Sequence, residues 1–529
     1  MIHRAPRDLA EYSELLEAIL ADIRDAPDPP GPDLSQILRQ HPLPDGRMLS
    51  KPQVLRGYVQ YCGRVQQEPD LELLRYLRVK PTRTISGVAP VTVLTKPYPC
   101  PGECIFCPTI EHMPKSYLPD EPGAMRAASH EFDPFRQTAS RITALTETGH
   151  NVDKVELLVL GGSWSSYPAD YQEWFVRRCL DALNEVDSTT LEDAQRMNES
   201  AARRNVGLVV ETRPDQVTLD EVMRLRRLGV TKVQVGVQSL DDHVLTLNRR
   251  GHSVADMGQA MRLLRLGGFK IVAHWMPNLL GATPEGDLAD FRRLWDNLSF
   301  RPDELKIYPT SLLSHTVLYD YWERGEYQPY DEATLVELLA RCKVLIPPYC
   351  RVNRLMRDIP APNIVAGVKK SNLRQIVRQY MEQHDLACRC IRCREIRGQN
   401  VDADCLSLNR YDYATDVTQE VFLSYNTQTS RIAGFARLSL PHVASPVSEL
   451  AGCATIREVH VYGPALELGD RQDGAIQHAG LGTALIETAC DIARNSGYRR
   501  LAVIAAVGTR GYYRSRGFEL GDLYMTMSL

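Results

Sequence analysis

VTVLTKPYPCPGECIFC, residues 91–107, decides how the first half of the chain is read. A run of β-branched residues, VTVLT, leads into a loop that carries Cys100, Cys104 and Cys107 within eight positions. Three thiolates so close together can wrap one face of a metal cluster. A cubane 4Fe-4S cluster takes four ligands, so a three-cysteine loop leaves one iron open to another molecule. The alternative is a structural zinc or three unrelated buried thiols.

Outward from this loop, five more short apolar runs alternate with longer helical stretches: VELLVLGG (155–162), GLVVETR (207–213), KVQVGVQS (232–239), KIVAHWM (270–276) and ELKIYPT (304–310). Repeated βα units predict an α/β fold with a parallel sheet, here a partial six-stranded barrel. Chemistry in such barrels sits at the C-terminal strand ends. Those ends carry the cysteines, Gly161, Gly162, Glu211, Arg213, Gln238, His274 and Lys306.

The spacing Cys-x3-Cys-x2-Cys, with Phe106 before the last cysteine, resembles the motif of the radical SAM superfamily. That resemblance implies that the open iron chelates S-adenosylmethionine. Phe106, Gly161, Gly162, Glu211, Arg213 and Gln238 are then the expected contacts of that molecule. Glycines let backbone approach a ligand, and a carboxylate or guanidinium at a strand end suits ribose hydroxyls or the methionyl carboxylate.

A second triplet, CRCIRC, places Cys388, Cys390 and Cys393 outside the barrel. Structural zinc, with His384 or a distant residue as fourth ligand, is the favoured reading; an auxiliary iron-sulfur centre or free thiols are the alternatives. Between residues 341 and 380 nine Lys or Arg stand against the single acid Asp358. Arg351, Arg354 and Arg357 are three apart and on a helix would share one face; with Lys369 and Lys370 they are the expected phosphate contacts.

QHAGLG (477–482) followed by an apolar helix offers backbone amides and a helix N-terminus to a pyrophosphate. With TIREVHVYG before it and LAVIAAVG and GYYRSRGFEL after it, the region resembles the GNAT acetyltransferase fold. The expected layout is a helical module at 1–80, the radical SAM barrel at 81–340, a basic linker with the Cys-rich zinc site at 341–394, and the GNAT domain at 395–529. The first module rests on an amphipathic helix over 7–24 with Leu9, Tyr12, Leu16, Ile19 and Ile23 on one face.

Apolar residues make up 43% of the 529 and charged residues 24%, with a net charge of -4. No apolar run reaches the roughly 18–20 residues of a membrane span, and the N-terminus lacks a signal-peptide pattern, which predicts a cytoplasmic protein. Of thirteen cysteines, six fall in two tight triplets, which suggests metal in a reducing compartment rather than disulfides.

Joined in one chain, these two folds resemble the catalytic subunit of Elongator in its prokaryotic form, with RTISGVAPVTVLTKPYPCP, MRAASHEFDPF, VETRPD, RDIPAP and GTRGYYRSRGF among the agreeing blocks. The family's MMPDLP reads WMPNLL here, with Asn278 for the usual Asp. The resemblance implies carboxymethylation of carbon 5 of the wobble uridine 34 of tRNA. A 5'-deoxyadenosyl radical abstracts hydrogen from the acetyl methyl of acetyl-CoA, the carbon radical adds to uridine, and thioester hydrolysis releases CoA. It further implies acetyl-CoA contacts at Lys154, Glu458, Val459, His460, Val461, Leu481, Gly482, Thr483 and Tyr512, to which the loop reading adds Gln477 and Gly480. Lys306 and Tyr513 are the candidate catalytic residues, Lys306 to steer uridine or the acetyl group and Tyr513 near the CoA sulfur. The cluster needs an external electron donor, and a homodimer is compatible with the sequence. Two competing readings are a protein lysine acetyltransferase with a scaffolding barrel and a non-enzymatic tRNA-binding subunit.

Overall fold

Strands with period-two alternation have two faces, and the barrel here uses both. A computed structural model describes residues 12–25, 33–80, 83–397, 401–462 and 480–529. The six expected strands are present: β1 (Ala89–Leu94), β2 (Lys154–Leu160), β3 (Arg204–Thr212), β4 (Lys232–Gln238), β5 (Lys270–Trp275) and β6 (Glu304–Ile307). A short ribbon pairs β7 (Leu312–Leu313) with β9 (Ile364–Ala366), and β8 (Arg351–Arg354) joins the main sheet beside β6. The parallel order is β1-β2-β3-β4-β5-β6-β8, so β1 and β8 are edges with a lateral opening between them.

The seventh strand corrects the sequence reading. Arg351, Asn353 and Val352 alternate across a strand, and Arg351, Arg354 and Arg357 do not form a helical face. RVNR is too short and too polar to signal a strand by itself; pairing with β6 imposes it.

Outward-facing Val91, Val93, Leu157, Val159, Val233, Val235, Ile271, Trp275, Ile307 and Val352 pack beneath the helices as the main core. The inward face is mixed: Leu94, Leu158, Leu160 and Val272 line an internal cavity together with the polar Glu156, Lys232, Gln234, Lys270, His274, Glu304, Lys306 and Asn353. Burying that many charges costs free energy unless each is paired. Lys232 bridges Glu156 at 2.7 Å and Glu304 at 3.5 Å.

Four helices, Ser13–Asp25, Leu34–Gln40, Lys51–Val65 and Leu71–Leu77, form the N-terminal module around Leu16, Ile19, Val54, Leu55 and Tyr58. Leu16, Ile19 and Ile23 of the expected apolar face are buried there, and Leu9 lies outside the described residues.

The C-terminal domain is a second sheet, of β10 (Ser407–Ala414), β11 (Thr418–Asn426), β12 (Ile432–Pro441), β13 (Cys453–Val461), β14 (Arg500–Val503), β15 (Glu519–Leu520) and β16 (Met525–Ser528). Its order is β10-β11-β12-β13-β14-β16-β15. Among the described strands of this sheet only β13 and β14 pair in parallel. They pair over Cys453–Ile456 and Arg500–Val503, after which β13 runs on to Val461 paired only with β12, opening a wedge on the β14 side.

This domain seats against the N-terminal ends of the barrel strands. Arg457 is fully buried and donates to Asp303, just before β6, at 2.6 and 2.7 Å and to Glu420 at 2.6 Å. Arg437 donates to Glu458 at 2.8 Å, and Glu458 also accepts from Lys270 at the start of β5. Arg226 donates to the Leu523 carbonyl at 2.7 Å, and the Tyr524 hydroxyl to the Gly267 carbonyl at 2.8 Å. Gly508 lies against the Arg204 Cβ and the Asn205 backbone, where any Cβ would collide. A buried network of this kind fixes the joint geometrically, since breaking one member strands a charge.

Candidate active site

The loop after β1 carries the three cysteines to the C-terminal end of the barrel. Cys104 is buried and accepts from Arg250 Nη1 at 3.3 Å. The neighbouring Cys107 thiol, followed by the Arg250 and Arg213 charges, pulls Cys104 down to about 5, so it stands as a thiolate ready to ligate metal. Cys100 accepts from the Gly102 amide at 3.4 Å. Arg213 lies over Gly102, where a side chain would strike its Nη1, and donates to Asp215 and to the Arg250 carbonyl. It therefore braces the cluster loop, and its buried Nη1 has no hydrogen-bond partner.

Gly161 and Gly162 follow β2 with φ of 125° and 114°, a region closed to most side chains. Their surroundings differ. A Cβ on Gly161 would collide with Thr95 Oγ1, whereas Gly162 faces open cavity. Gln238, at φ 68°, ends β4 with its Oε1 buried and unpartnered, and Glu211 and Phe106 line the same cavity. Orphaned polar atoms and an open glycine beside a preformed thiolate fit a cluster with S-adenosylmethionine on its open iron.

Midway along the cavity Lys306 lies 3.4 Å from Glu211, and His274 Nε2 lies 2.8 Å from Gln234 Oε1. Burial, then the charge on Lys306, holds the His274 imidazole well below its ordinary value and so neutral. Asn278 is structural: its Oδ1 accepts from the Tyr330 amide at 2.7 Å.

At the other end, the wedge beside β13 opens into this cavity. Glu458, Val459 and His460 line it, as do Thr509 and Tyr513. Glu458 is committed to Lys270 and Arg437, and His460 Nε2 is buried without a partner, the ring kept neutral by burial. Gly480, at φ 75°, caps the helix Leu481–Asn495. Gly482 has no room for a side chain under the Tyr512 hydroxyl, and Thr483 accepts from Arg516 at 2.9 Å. The Arg516 guanidinium stacks 3.5 Å from the Tyr512 ring centroid. Tyr513 is buried against Phe518, where desolvation raises its phenol. Lys154 opens β2 beside Arg204, at the joint, while Gln477 lies outside the described residues.

The cavity measures 970 Å³ and is continuous from Cys100 and Cys107 at one end to Val459 and Tyr513 at the other. This continuity was not legible in the sequence, because it depends on the second domain covering the barrel's N-terminal end.

The sulfurs of Cys388, Cys390 and Cys393 lie within 4.8 Å of one another. Their mutual hydrogen bonds hold Cys390 well below the ordinary thiol value. His384, one of the two expected sources of a fourth ligand, is outside this group among the described residues; its Nδ1 meets the Tyr380 carbonyl at 2.8 Å and its ring stacks on Tyr380. The triplet sits at the joint, with Ile391 bonded to the Cys350 carbonyl and Arg431 to the Cys393 carbonyl.

The expected phosphate contacts divide. Arg351 is held by Glu395 at 2.8 Å and by the Tyr462 hydroxyl at 2.7 Å. Arg357 crosses the lateral opening to Glu121 at 2.8 Å and Ser116 at 2.7 Å. Both are structural braces, since each is consumed by an internal carboxylate. Arg354 pairs with Asp358 at the surface, Lys370 with Glu332, and Lys369 is exposed.

Comparison with known proteins agrees with this geometry. The model of the radical SAM superfamily matches residues 98–292, that of the radical SAM C-terminal domain 302–383, and that of the GNAT acetyltransferase family 392–518. Fold and site thus define a radical SAM enzyme joined to a GNAT acetyltransferase domain. A protein of Dehalococcoides mccartyi named tRNA uridine(34) acetyltransferase is 45% identical over 85% of this chain and 99% of its own. Elongator complex protein 3 of Homo sapiens is 38% identical over 86% of this chain and 87% of its own. The solved structure of Methanocaldococcus infernus Elp3, lacking its N-terminus, superposes with a TM-score of 0.74 at 37% identity, covering 84% of this chain and 100% of that one. The chain belongs to the family of the tRNA uridine(34) acetyltransferases and Elongator complex protein 3. Among the described residues no helix is long and apolar enough to cross a membrane.

Proposed function

We propose that this enzyme builds a carboxymethyl group on carbon 5 of uridine 34 in tRNA, taking the two carbons from acetyl-CoA. One observation carries the reading: a single cavity is lined both by the cluster cysteines and by the acetyl-CoA strand β13. A lysine acetyltransferase with a scaffolding barrel has no use for a wedge that opens into the barrel.

Cys100, Cys104 and Cys107 would hold the cluster, and Gly162, Glu211, Arg213 and Gln238 the S-adenosylmethionine. When bound there, they supply the radical chemistry that activates the acetyl methyl group. The remaining work falls to the chain. The turn at Gly480–Thr483 offers backbone amides to the CoA pyrophosphate, with Tyr512 over it. Val459, His460 and Val461 guide the acetyl arm along the end of β13 that β14 leaves, with Lys154 at the joint. Lys306, paired only loosely with Glu211, offers an ammonium to the uracil or acetyl carbonyl, and neutral His274 adds no competing charge. Tyr513 stands where its hydroxyl can donate to the departing CoA sulfur. Cys388, Cys390 and Cys393 would give three thiolates to a zinc that braces the joint. An outside donor reduces the cluster.

The test is anaerobic reconstitution with iron and sulfide, followed by acetyl-CoA hydrolysis measured with and without tRNA. Stimulation by tRNA is expected. Hydrolysis indifferent to tRNA, or acetyl transfer to a lysine peptide in its absence, would overturn the proposal.

A further inference from the structure

Fifteen Lys or Arg line the cavity against six Asp or Glu. All six acids already have cations: Glu121 has Arg357, Glu156 and Glu304 share Lys232, Glu211 has Lys306, Asp358 has Arg354, and Glu458 has Lys270. The surplus is not spread evenly. Lys80, Arg83, Arg126 and Arg141 line the cavity on the β1 side, and among the described residues none of the four has a salt bridge or a side-chain hydrogen bond. Arg83 lies in the segment entering β1, Arg126 on the helix Pro122–Ser129 and Arg141 on the helix Pro134–Thr146. Three unrelated elements thus bring their cations to one wall.

Such a gathering opposes folding. Desolvation and then Arg83 and Arg126 pull Arg141 down to about 10, and Arg126 is lowered by burial and by Arg83. An anion that fills the wall removes both penalties at once. The wall stands on the β1 side of the lateral opening, which Arg357 spans to Glu121 and Ser116, and none of its four residues comes from the C-terminal domain. The CoA pyrophosphate has its own place at the helix Leu481–Asn495.

We infer that Lys80, Arg83, Arg126 and Arg141 form a phosphate-binding wall that grips the RNA backbone on either side of a nucleotide turned into the cavity through the lateral opening. This rests on the tRNA reading above. A base treated by an enclosed site must leave its stack, and its flanking phosphates then stay at the rim. Phosphate contacts position the strand without reading sequence.

The test titrates a synthetic anticodon stem-loop RNA into the full-length protein at several salt concentrations. Arg126→Gln and Arg141→Gln should each weaken binding several-fold and flatten the plot of log affinity against log salt by about one unit, alike for RNAs with uridine or cytidine at the wobble position. Arg126→Lys should restore the slope. Arg341→Gln, on the exposed face of helix Glu332–Leu345, serves as the control for loss of any positive charge and should keep the wild-type slope. Unchanged slopes in both Gln variants would overturn the wall while leaving the tRNA reading intact. A weaker acetyl-CoA affinity measured without RNA would assign the arginines to CoA and overturn it as well. Failure of the wild-type protein to bind the RNA would sink the tRNA reading and the wall together.

Discussion

Asp303→Asn probes the joint between barrel and C-terminal domain at its most buried point. The carboxylate accepts from both Arg457 nitrogens, at 2.6 and 2.7 Å, and from the Ile271 amide at 2.9 Å, with Arg437 Nη1 3.6 Å away. Asparagine keeps the shape but removes the charge and turns a donor toward a guanidinium. Breaking a buried pair by removing one partner costs about 3–5 kcal/mol. Glu420 remains to hold one edge of Arg457, which places the expected loss near the lower end, about 3 kcal/mol or roughly a hundredfold in the folding equilibrium. The arginines hold the Asp303 carboxyl far below the usual range, so its contribution is complete above the unfolded value near 3.9 and is lost only as pH falls below it. The difference between variant and wild type is therefore constant from pH 5 to 8. Urea titration reads the effect separately in each half, because all five tryptophans lie between residues 164 and 322, in the barrel. Tryptophan fluorescence follows the barrel, while far-ultraviolet circular dichroism follows both sheets, and the two transitions should separate in the variant. A loss under about 1 kcal/mol, or one that varies across pH 5 to 8, would refute this account of the joint.

Other consequences can be checked with single substitutions. Cys104→Ala should abolish the brown colour of the reconstituted protein and uridine modification while acetyl-CoA still binds, measured by calorimetry; loss of acetyl-CoA binding would show tighter coupling than the separate ends of the cavity imply. Both glycines sit at positive φ, so Gly161→Ala and Gly162→Ala should each lower the melting temperature, Gly161→Ala more because its Cβ also strikes Thr95. Gly162→Ala, whose Cβ enters the cavity, should in addition weaken S-adenosylmethionine binding. Burial raises Asp287 to about 7. Its folded value exceeds the unfolded one, so stability should fall as pH rises from about 4 to 7 and level off above, and Asp287→Asn should flatten that slope in thermal melts recorded across this range.

What the sequence disclosed and what it hid follow from the range of each signal. Six strands were readable because β-branched runs and helical stretches repeat locally, and the cysteine triplet is compact enough to be its own evidence. RVNR was misread because four residues fit a helix and a strand equally well, and only β6 decides between them. Arg351 and Arg357 looked like phosphate ligands until their partners, Glu395 and Glu121, were seen to come from distant segments. The same limit hid Arg457 and Asp303, which are 154 positions apart, and the wall of Lys80, Arg83, Arg126 and Arg141, whose members share no motif. Gly161 and Gly162 read as a pair, yet one is needed for packing and the other for space.

The seating of the C-terminal domain on the N-terminal strand ends gives the chamber two doors. Under the proposed function the acyl donor loads through the wedge beside β13 and the nucleic acid on the β1 side, where Lys80, Arg83, Arg126 and Arg141 stand. On that reading neither substrate has to leave for the other to arrive, so spent CoA exchanges while the RNA stays docked, and initial-rate kinetics should show no fixed order of loading.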